Sequence, residues 1–173
     1  MDTRTSETRL RIERVRDALI AQGLHAVLVP SSDPHLSEYL PGRWQGREWL
    51  SGFNGSVGSL VVTRDRAALF ADSRYWAQAE AQIAGSGIQL EKMNSGASTL
   101  YIDWIAKTLQ PGQALALDGQ VLGLALANTL RAAMQRAGVT LRSDVDLLQA
   151  AWDDRPGLPA DAIYEHQLPQ AVV

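Results

Sequence analysis

Residues 52–71 read GFNGSVGSLVVTRDRAALFA. Three glycines at a spacing of three precede two apolar runs, residues 59–63 and 67–71, which a charged Arg64-Asp65-Arg66 segment separates. Short apolar and β-branched runs with a polar break between them predict a β-hairpin. We therefore expect two adjacent antiparallel strands here.

The glycine-rich segment 52–58, called the glycine loop below, raises the question of phosphate binding. A phosphate-binding glycine loop follows a strand and opens a helix, whose N-terminus holds the anion. This loop precedes a strand, lacks the G-x-G-x-x-G spacing and has no Gly-Lys-Ser/Thr after it. The pattern favours a tight entry into the hairpin, with glycine where a side chain would clash.

The segments around the hairpin alternate between helical and strand patterns. Apolar residues at helical spacing predict a helix over 5–22, and the apolar run 25–29 before Pro30 predicts a buried strand. Downstream we predict helices over 73–83 (capped by Asp72), 98–109 and 121–137, and strands over 88–93, 114–117 and 139–142. This order predicts an α/β fold with a mixed, largely parallel sheet of about six strands and helices on both faces.

Composition sets further limits. The 173 residues, 46% of them hydrophobic, fit one domain. We place it at residues 1–152, with the proline-rich, aperiodic segment 153–173 as a linker. A net charge of -3 with scattered basic residues predicts no nucleic-acid or membrane partner. No cysteine, signal peptide or membrane-spanning run is present, so we expect a soluble cytoplasmic protein without disulfides.

The densest polar group is Asp33-Pro-His35-Leu-Ser-Glu38-Tyr39. If a short helix opens after Asp33, His35 and Glu38 share one face, where a metal or an acid/base role is conceivable. Two ligands are too few to hold a metal ion alone. The alternative is that Asp33 caps the helix while His35 and Glu38 bond each other.

Two arginine-bearing segments carry open alternatives. One interleaves arginine with aromatic residues, either as a recognition surface or as loop anchors with buried rings: Arg43, Trp44, Arg47, Trp49 and Phe53. The other is Asp72-Ser-Arg74-Tyr75-Trp76 at a strand end. There Arg74 either binds a carboxylate, a carbonyl or a partner chain, or it pairs with a local acid.

No recognised nucleophile motif or H-E-x-x-H occurs, and the histidines stand at 25, 35 and 166. The residues alone therefore predict no self-contained active site.

Three motifs in register, D-x-H-x-x-E-Y, S-G-F-x-G-S-x-G and D-x-R-Y, followed by A-W-x-D-R-P-x-L-P, resemble the N-terminal domain of Xaa-Pro aminopeptidases of the creatinase/prolidase group. The resemblance covers residues 10–168. It implies the creatinase N-terminal fold and a cytosolic homodimeric peptidase that removes the residue before a penultimate proline. It also implies two divalent ions, commonly manganese, in a separate catalytic domain absent from these 173 residues, so that this chain alone is inactive and binds no metal.

By the same resemblance, the domain supports dimerisation and walls the substrate cleft. Arg74 matches the arginine of D-G-R-Y, with Ser73 in place of the usual glycine, and Tyr75 matches the tyrosine beside it. His35, Glu38 and Tyr39 match the first motif. Two alternatives remain: a prolidase or creatinase relative, and a stand-alone binding or scaffold module.

Overall fold

The computed structural model describes residues 3–165, and its strands form one six-stranded sheet. The strands are β1 (Ala26–Pro30), β2 (Ser59–Thr63), β3 (Ala67–Asp72), β4 (Gln89–Met93), β5 (Ala114–Ala116) and β6 (Thr140–Arg142). Their order is β4-β3-β2-β1-β5-β6. Strand β2 is antiparallel to both neighbours, while the other pairings are parallel. The predicted hairpin and the mixed sheet are confirmed.

Helices cover both faces of the sheet, as predicted. They are α1 (Thr3–Ala21), α2 (Gly46–Ser51), α3 (Trp76–Ile83), α4 (Leu100–Thr108), α5 (Leu124–Arg136) and α6 (Leu148–Ala151), with 3-10 turns at Gly42–Trp44 and Gly119–Val121. One core unites α1, α2, α3 and α6 with one sheet face, and a second unites α4 and α5 with the other. Alternate side chains of β2 follow this division, because Leu60 and Val62 join the first core and Val61 the second. Each fully buried aliphatic side chain contributes about 1.5–3 kcal/mol.

Two helices begin three residues later than the sequence pattern predicts. Helix α3 starts at Trp76, not at residue 73, because Asp72 shapes a turn instead of capping the helix: its carbonyl accepts the Tyr75 N–H at 3.0 Å. Helix α5 starts at Leu124, not at residue 121, because Asp118 Oδ1 accepts the Gln120 N–H at 2.9 Å and holds residues 119–121 in a 3-10 turn.

The chain keeps contact with the core slightly beyond α6. Trp152 stacks on Trp49 with ring centroids 4.7 Å apart. Arg155, whose side chain is 4% exposed, pairs with Asp146, and Arg43 Nη1 donates to the Pro156 carbonyl at 3.1 Å. From residue 157 to 165 the chain is exposed and has neither helix nor strand. Part of the linker, 166–173, lies outside the described residues, as does His166.

Candidate functional site

Loops from several strands meet at one edge of the sheet, called the carboxyl edge below. Strands β1, β3, β4, β5 and β6 run the same way, so their C-terminal ends share this edge, and the glycine loop enters β2 there. In open α/β sheets, ligands bind outside the carboxyl ends of the strands. The candidate site is therefore sought at this edge.

Arg74 is held rigidly at the carboxyl edge by the aspartate that ends β3. Its Nε donates to Asp72 Oδ1 at 3.0 Å and its Nη2 to Asp72 Oδ2 at 2.7 Å. The Arg74 hydrogen bond lowers the pKa of Asp72, although burial alone would raise it. Asp72 is 2% exposed and Arg74 63% exposed. The local pair expected from the sequence exists, yet it leaves the guanidinium open to a second partner.

Tyr75 connects Arg74 to the glycine loop. The Arg74 guanidinium carbon lies 5.3 Å from the centre of the Tyr75 ring, which packs edge-on against Phe53. The Tyr75 hydroxyl and Ser56 Oγ form a 2.7 Å hydrogen bond. The structure therefore brings Arg74 and Tyr75 together with the glycine loop.

Arg47 anchors the glycine loop from inside. Its guanidinium donates to the carbonyls of Phe53 and Gly55 and lies 4.7 Å from the centre of the Phe53 ring. Burial lowers its pKa to about 10. Arg47 is 6% exposed, and its Nε has no partner among residues 3–165. The loop-anchor interpretation thus holds for Arg47, and the buried stacking of Trp49 on Trp152 extends it.

The glycines of this loop are required by packing, as the sequence predicts. A side-chain carbon at Gly55 would lie 2.3 Å from the Phe53 ring and 2.8 Å from Tyr75. Gly52 ends α2 with a positive φ of 70°, which favours glycine. The loop therefore forms a tight entry to the hairpin.

The loop after β1 differs from the prediction. No helix opens after Asp33; instead its Oδ1 accepts the backbone N–H groups of His35 and Ser37, both at 2.9 Å. Leu36 consequently takes a φ of 55°, the one positive φ at a non-glycine position in the described chain. His35 and Glu38 are exposed and share no hydrogen bond in the described structure, and Tyr39 is 84% exposed. The alternative in which Asp33 caps a helix while His35 and Glu38 bond each other is therefore wrong, and Asp33 instead orders this loop.

A cavity of about 620 Å³ opens at the carboxyl edge between these loops and the starts of α4 and α5. Its walls are apolar or hydroxyl-bearing and include Leu36, Val57, Ser59, Met93, Tyr101 and Leu124. A side-chain carbon at Gly96, which also lines it, would lie 3.1 Å from Asp72 Oδ2 and 3.6 Å from Arg74 Nη2, so the Asp72–Arg74 pair lies next to this wall residue. No sequence pattern indicates this cavity, because it forms between segments far apart in the chain.

Neither a metal centre nor a transmembrane segment is found in the part of the chain that the structure describes. Residues 3–165 contain no group of three or more His, Asp or Glu side chains placed to hold a metal ion. Nor does any helix in that range combine the length and apolar character needed to cross a bilayer.

Comparison with known proteins agrees with the fold. The Creatinase/Prolidase N-terminal domain model matches residues 11–148, so the chain belongs to that family. Within it, the chain is a domain of the Xaa-Pro aminopeptidase type. It is 36% identical over 152 residues to aminopeptidase P2 of Arabidopsis thaliana, covering 86% of this chain and 21% of that protein. It is 33% identical to Xaa-Pro aminopeptidase 2 of Rattus norvegicus, covering 91% of this chain and 23% of that protein.

Solved structures show the same relationship. The X-prolyl aminopeptidase of Caenorhabditis elegans, a cytosolic enzyme with a di-nuclear active site, superposes with a TM-score of 0.76 at 28% identity, covering 86% of this chain and 26% of that one. The N-terminal domain of the cytoplasmic peptidase PepQ from Mycobacterium tuberculosis superposes with a TM-score of 0.57 at 25% identity, covering 76% of this chain and 89% of that one. The chain thus spans only about a quarter of the whole C. elegans enzyme.

Proposed function

We propose that this chain is the non-catalytic N-terminal domain of a metal-dependent Xaa-Pro aminopeptidase, which removes the first residue of peptides with proline second. Family membership and the similarity to Xaa-Pro aminopeptidases support this proposal. A di-nuclear centre like that of the C. elegans relative does not fit the described residues, which offer no ligand cluster. We therefore assign the two ions, proposed to be manganese, and the bond cleavage to the rest of a cytoplasmic, homodimeric parent protein.

Within that parent, the carboxyl edge walls the substrate cleft. The observation that carries this role is the fixed, exposed guanidinium of Arg74, whose Asp72 clamp removes much of its freedom before any ligand arrives. A guanidinium fixed in this way suits a peptide carbonyl or carboxylate, because its N–H fork is already oriented. Tyr75 supports Arg74 from the glycine loop, and His35, Glu38 and Tyr39 are proposed to border the same cleft or the dimer contact.

Replacing Arg74 in the parent protein tests the cleft-wall role. We expect Arg74→Ala to lower kcat/KM for an Arg-Pro-type peptide about tenfold, which is the loss of about 1.4 kcal/mol of transition-state binding. The measurement is steady-state hydrolysis with each variant's unfolding midpoint checked alongside.

Arg142 supplies a matched control for this test. Arg142, the last residue of β6, forms the same kind of bidentate pair with Asp144. Its Nε donates to Asp144 Oδ1 at 2.8 Å and its Nη2 to Asp144 Oδ2 at 2.9 Å. Strand β6 is four strand spacings from β3, roughly 19 Å along the sheet. Arg142→Ala should leave kcat/KM within about twofold of wild type. Equal kcat/KM values for Arg74→Ala and wild type would contradict the proposed role of Arg74 in the cleft wall.

The coding sequence beyond the Val173 codon separates the alternatives. A continuing frame with two Asp, one His and two Glu as candidate ligands supports the peptidase parent, whereas an immediate stop codon supports a stand-alone binding module. Given a continuing frame, hydrolysis of dipeptides alone would favour a prolidase, and release of the first residue from longer peptides favours the aminopeptidase.

A further inference from the structure

The carboxyl-edge cavity has the donors of an anion site. Helices α4 and α5, of nine and thirteen residues, both begin at its wall. The N-cap residues Thr99 and Gly123 make no side-chain cap, although Ser98 Oγ accepts the Leu100 N–H of α4 at 3.3 Å. The N–H groups of Tyr101, Leu124, Ala125 and Leu126 have no hydrogen-bond partner among residues 3–165, and all four residues line the cavity. Free N–H groups and the positive ends of the helix dipoles favour a negative charge there.

Two buried hydroxyls in the same wall are an independent sign of a ligand. Ser59 is 8% exposed and Tyr101 7% exposed, and both line the cavity. Within the described chain, neither hydroxyl has a hydrogen-bond partner, yet neither oxygen is sealed from solvent. Buried polar side chains are normally hydrogen-bonded, so these two hydroxyls are free to bond water or a ligand that enters through the cavity.

The other cavity walls narrow the chemistry of the ligand. Leu36 and Leu124 stand at the mouth, 61% and 76% exposed, and Met93 and Val57 also line the cavity. No Lys, Arg, Asp, Glu or His is among the lining residues, and the Asp72–Arg74 ion pair lies next to Gly96 with both charges present. Without lining cations a phosphate dianion would be poorly compensated, and without a lining carboxylate a free α-ammonium would lack a partner. A single carboxylate on an uncharged, apolar body matches these walls.

We propose that this cavity binds the C-terminal end of a peptide. The peptide carboxylate contacts the N-termini of α4 and α5 and the hydroxyls of Ser59 and Tyr101. The apolar side chain of the last peptide residue packs against the leucine and methionine walls. The volume of about 620 Å³ lies within the range of known small-molecule sites. The proposal goes beyond the peptidase assignment and does not depend on it, because it concerns binding by these 173 residues alone.

Binding is tested on the 173-residue chain by NMR titration, with N-acetyl-L-leucine as the probe. We expect it to bind at least about tenfold more tightly than N-acetyl-L-leucinamide, which has the same body without the charge. L-leucine and inorganic phosphate should bind more weakly than N-acetyl-L-leucine by a similar factor. The largest amide shifts should fall at Tyr101, Leu124, Ala125 and Leu126.

Variants test the assigned groups. Ser59→Ala and Tyr101→Phe should each weaken N-acetyl-L-leucine binding by about threefold to tenfold, because each removes one hydrogen bond to a charged group. Leu124→Asp puts a carboxylate at the first turn of α5, where it suits the helix but repels the ligand, and should weaken binding more than about tenfold. Leu10→Asp, at a 64% exposed position of α1, adds the same charge elsewhere and should change affinity less than about twofold.

Several results would overturn the proposal. Equal binding of the acid and the amide would leave only an apolar cavity, and tighter binding of phosphate or L-leucine would assign the site to a different ligand. Unchanged affinity in a folded Leu124→Asp variant, or shifts confined to other amides, would place binding elsewhere.

Loss of parent peptidase activity in Arg74→Ala with normal binding of N-acetyl-L-leucine would show that the two proposals stand separately.

Discussion

At the scale of single residues, Asp33 organises the loop after β1 through its charge. The carboxylate is 1% exposed and accepts two backbone N–H bonds. Burial alone would raise the pKa of Asp33, but the hydrogen bonds from Ser37 and His35 outweigh it and hold that pKa below its usual value. A carboxylate whose pKa is lower in the folded state stabilises the fold above its unfolded pKa of about 3.9. That contribution is lost as the pH falls through the folded value.

Asp33→Asn tests this linkage, because asparagine keeps an accepting oxygen and removes the charge. We expect the variant to be less stable by about 1 kcal/mol at pH 7, with the difference from wild type shrinking below about pH 4. Urea unfolding of the variant and of wild type at pH 7, 5, 4 and 3 measures this difference in the free energy of unfolding. Asp17→Asn, at an exposed position of α1, should stay within about 0.5 kcal/mol of wild type throughout. A difference that stays constant to pH 3 would contradict the assigned charge effect.

Sequence reasoning succeeded and failed at this scale for identifiable reasons. The packing role of Gly55 was predictable, since glycine density before a strand reports backbone crowding. The Asp33 motif was misjudged, because an aspartate before proline suits both a helix cap and a turn, and only the bonds to His35 and Ser37 decide between them. Ser59 and Tyr101 were not predicted at all, since a strand serine and a helix tyrosine carry no local sign of a shared cavity.

At the scale of helices and strands, the strands and the long helices were predictable and the short helices were not. The residues of α1 and β1 show a clear period or a continuous apolar run, whereas α2 and α6 have six and four residues, too few for a period to emerge. Both short helices are fixed by tertiary contacts instead. The stacked Trp49 and Trp152, from α2 and the end of α6, join them beside α1.

The tryptophan stack should therefore be important for stability. Trp152 is 7% exposed, and Trp152→Ala removes its own burial and leaves one side of Trp49 open. We expect a loss of about 3 kcal/mol in the free energy of unfolding, with a smaller loss for Trp152→Phe, which keeps an aromatic ring. Chemical denaturation followed by circular dichroism measures both. Leu158→Ala, at a 68% exposed position, is the control, and its free energy of unfolding should stay close to that of wild type. A similar loss in Leu158→Ala would show that the Trp49–Trp152 stack has no special importance for stability.

At the scale of the whole molecule, the sheet order explains where the candidate site lies. Strand β2 runs against its neighbours, so the glycine loop enters at the edge where β1, β3 and β5 end. The alternation of segments allowed the sheet to be predicted as mixed, but not the strand order, which depends on which non-local strands pair. Because that order brings the loops together, the cavity could not be derived from any single segment.

The end of the domain provides the last prediction, since the structural contacts reach Pro156 and the sequence places the boundary at residue 152. Arg155 Nε donates to the Arg43 carbonyl at 3.0 Å, and its guanidinium pairs with Asp146. A chain ending at Gly157 should therefore unfold at the same urea concentration as the full 173 residues. One ending at Trp152 should be about 1–3 kcal/mol less stable, because Asp146 and the Arg43 carbonyl lose a charged donor. Equal stability of the two shortened chains would instead place the boundary at residue 152 and make the Arg155 contacts incidental.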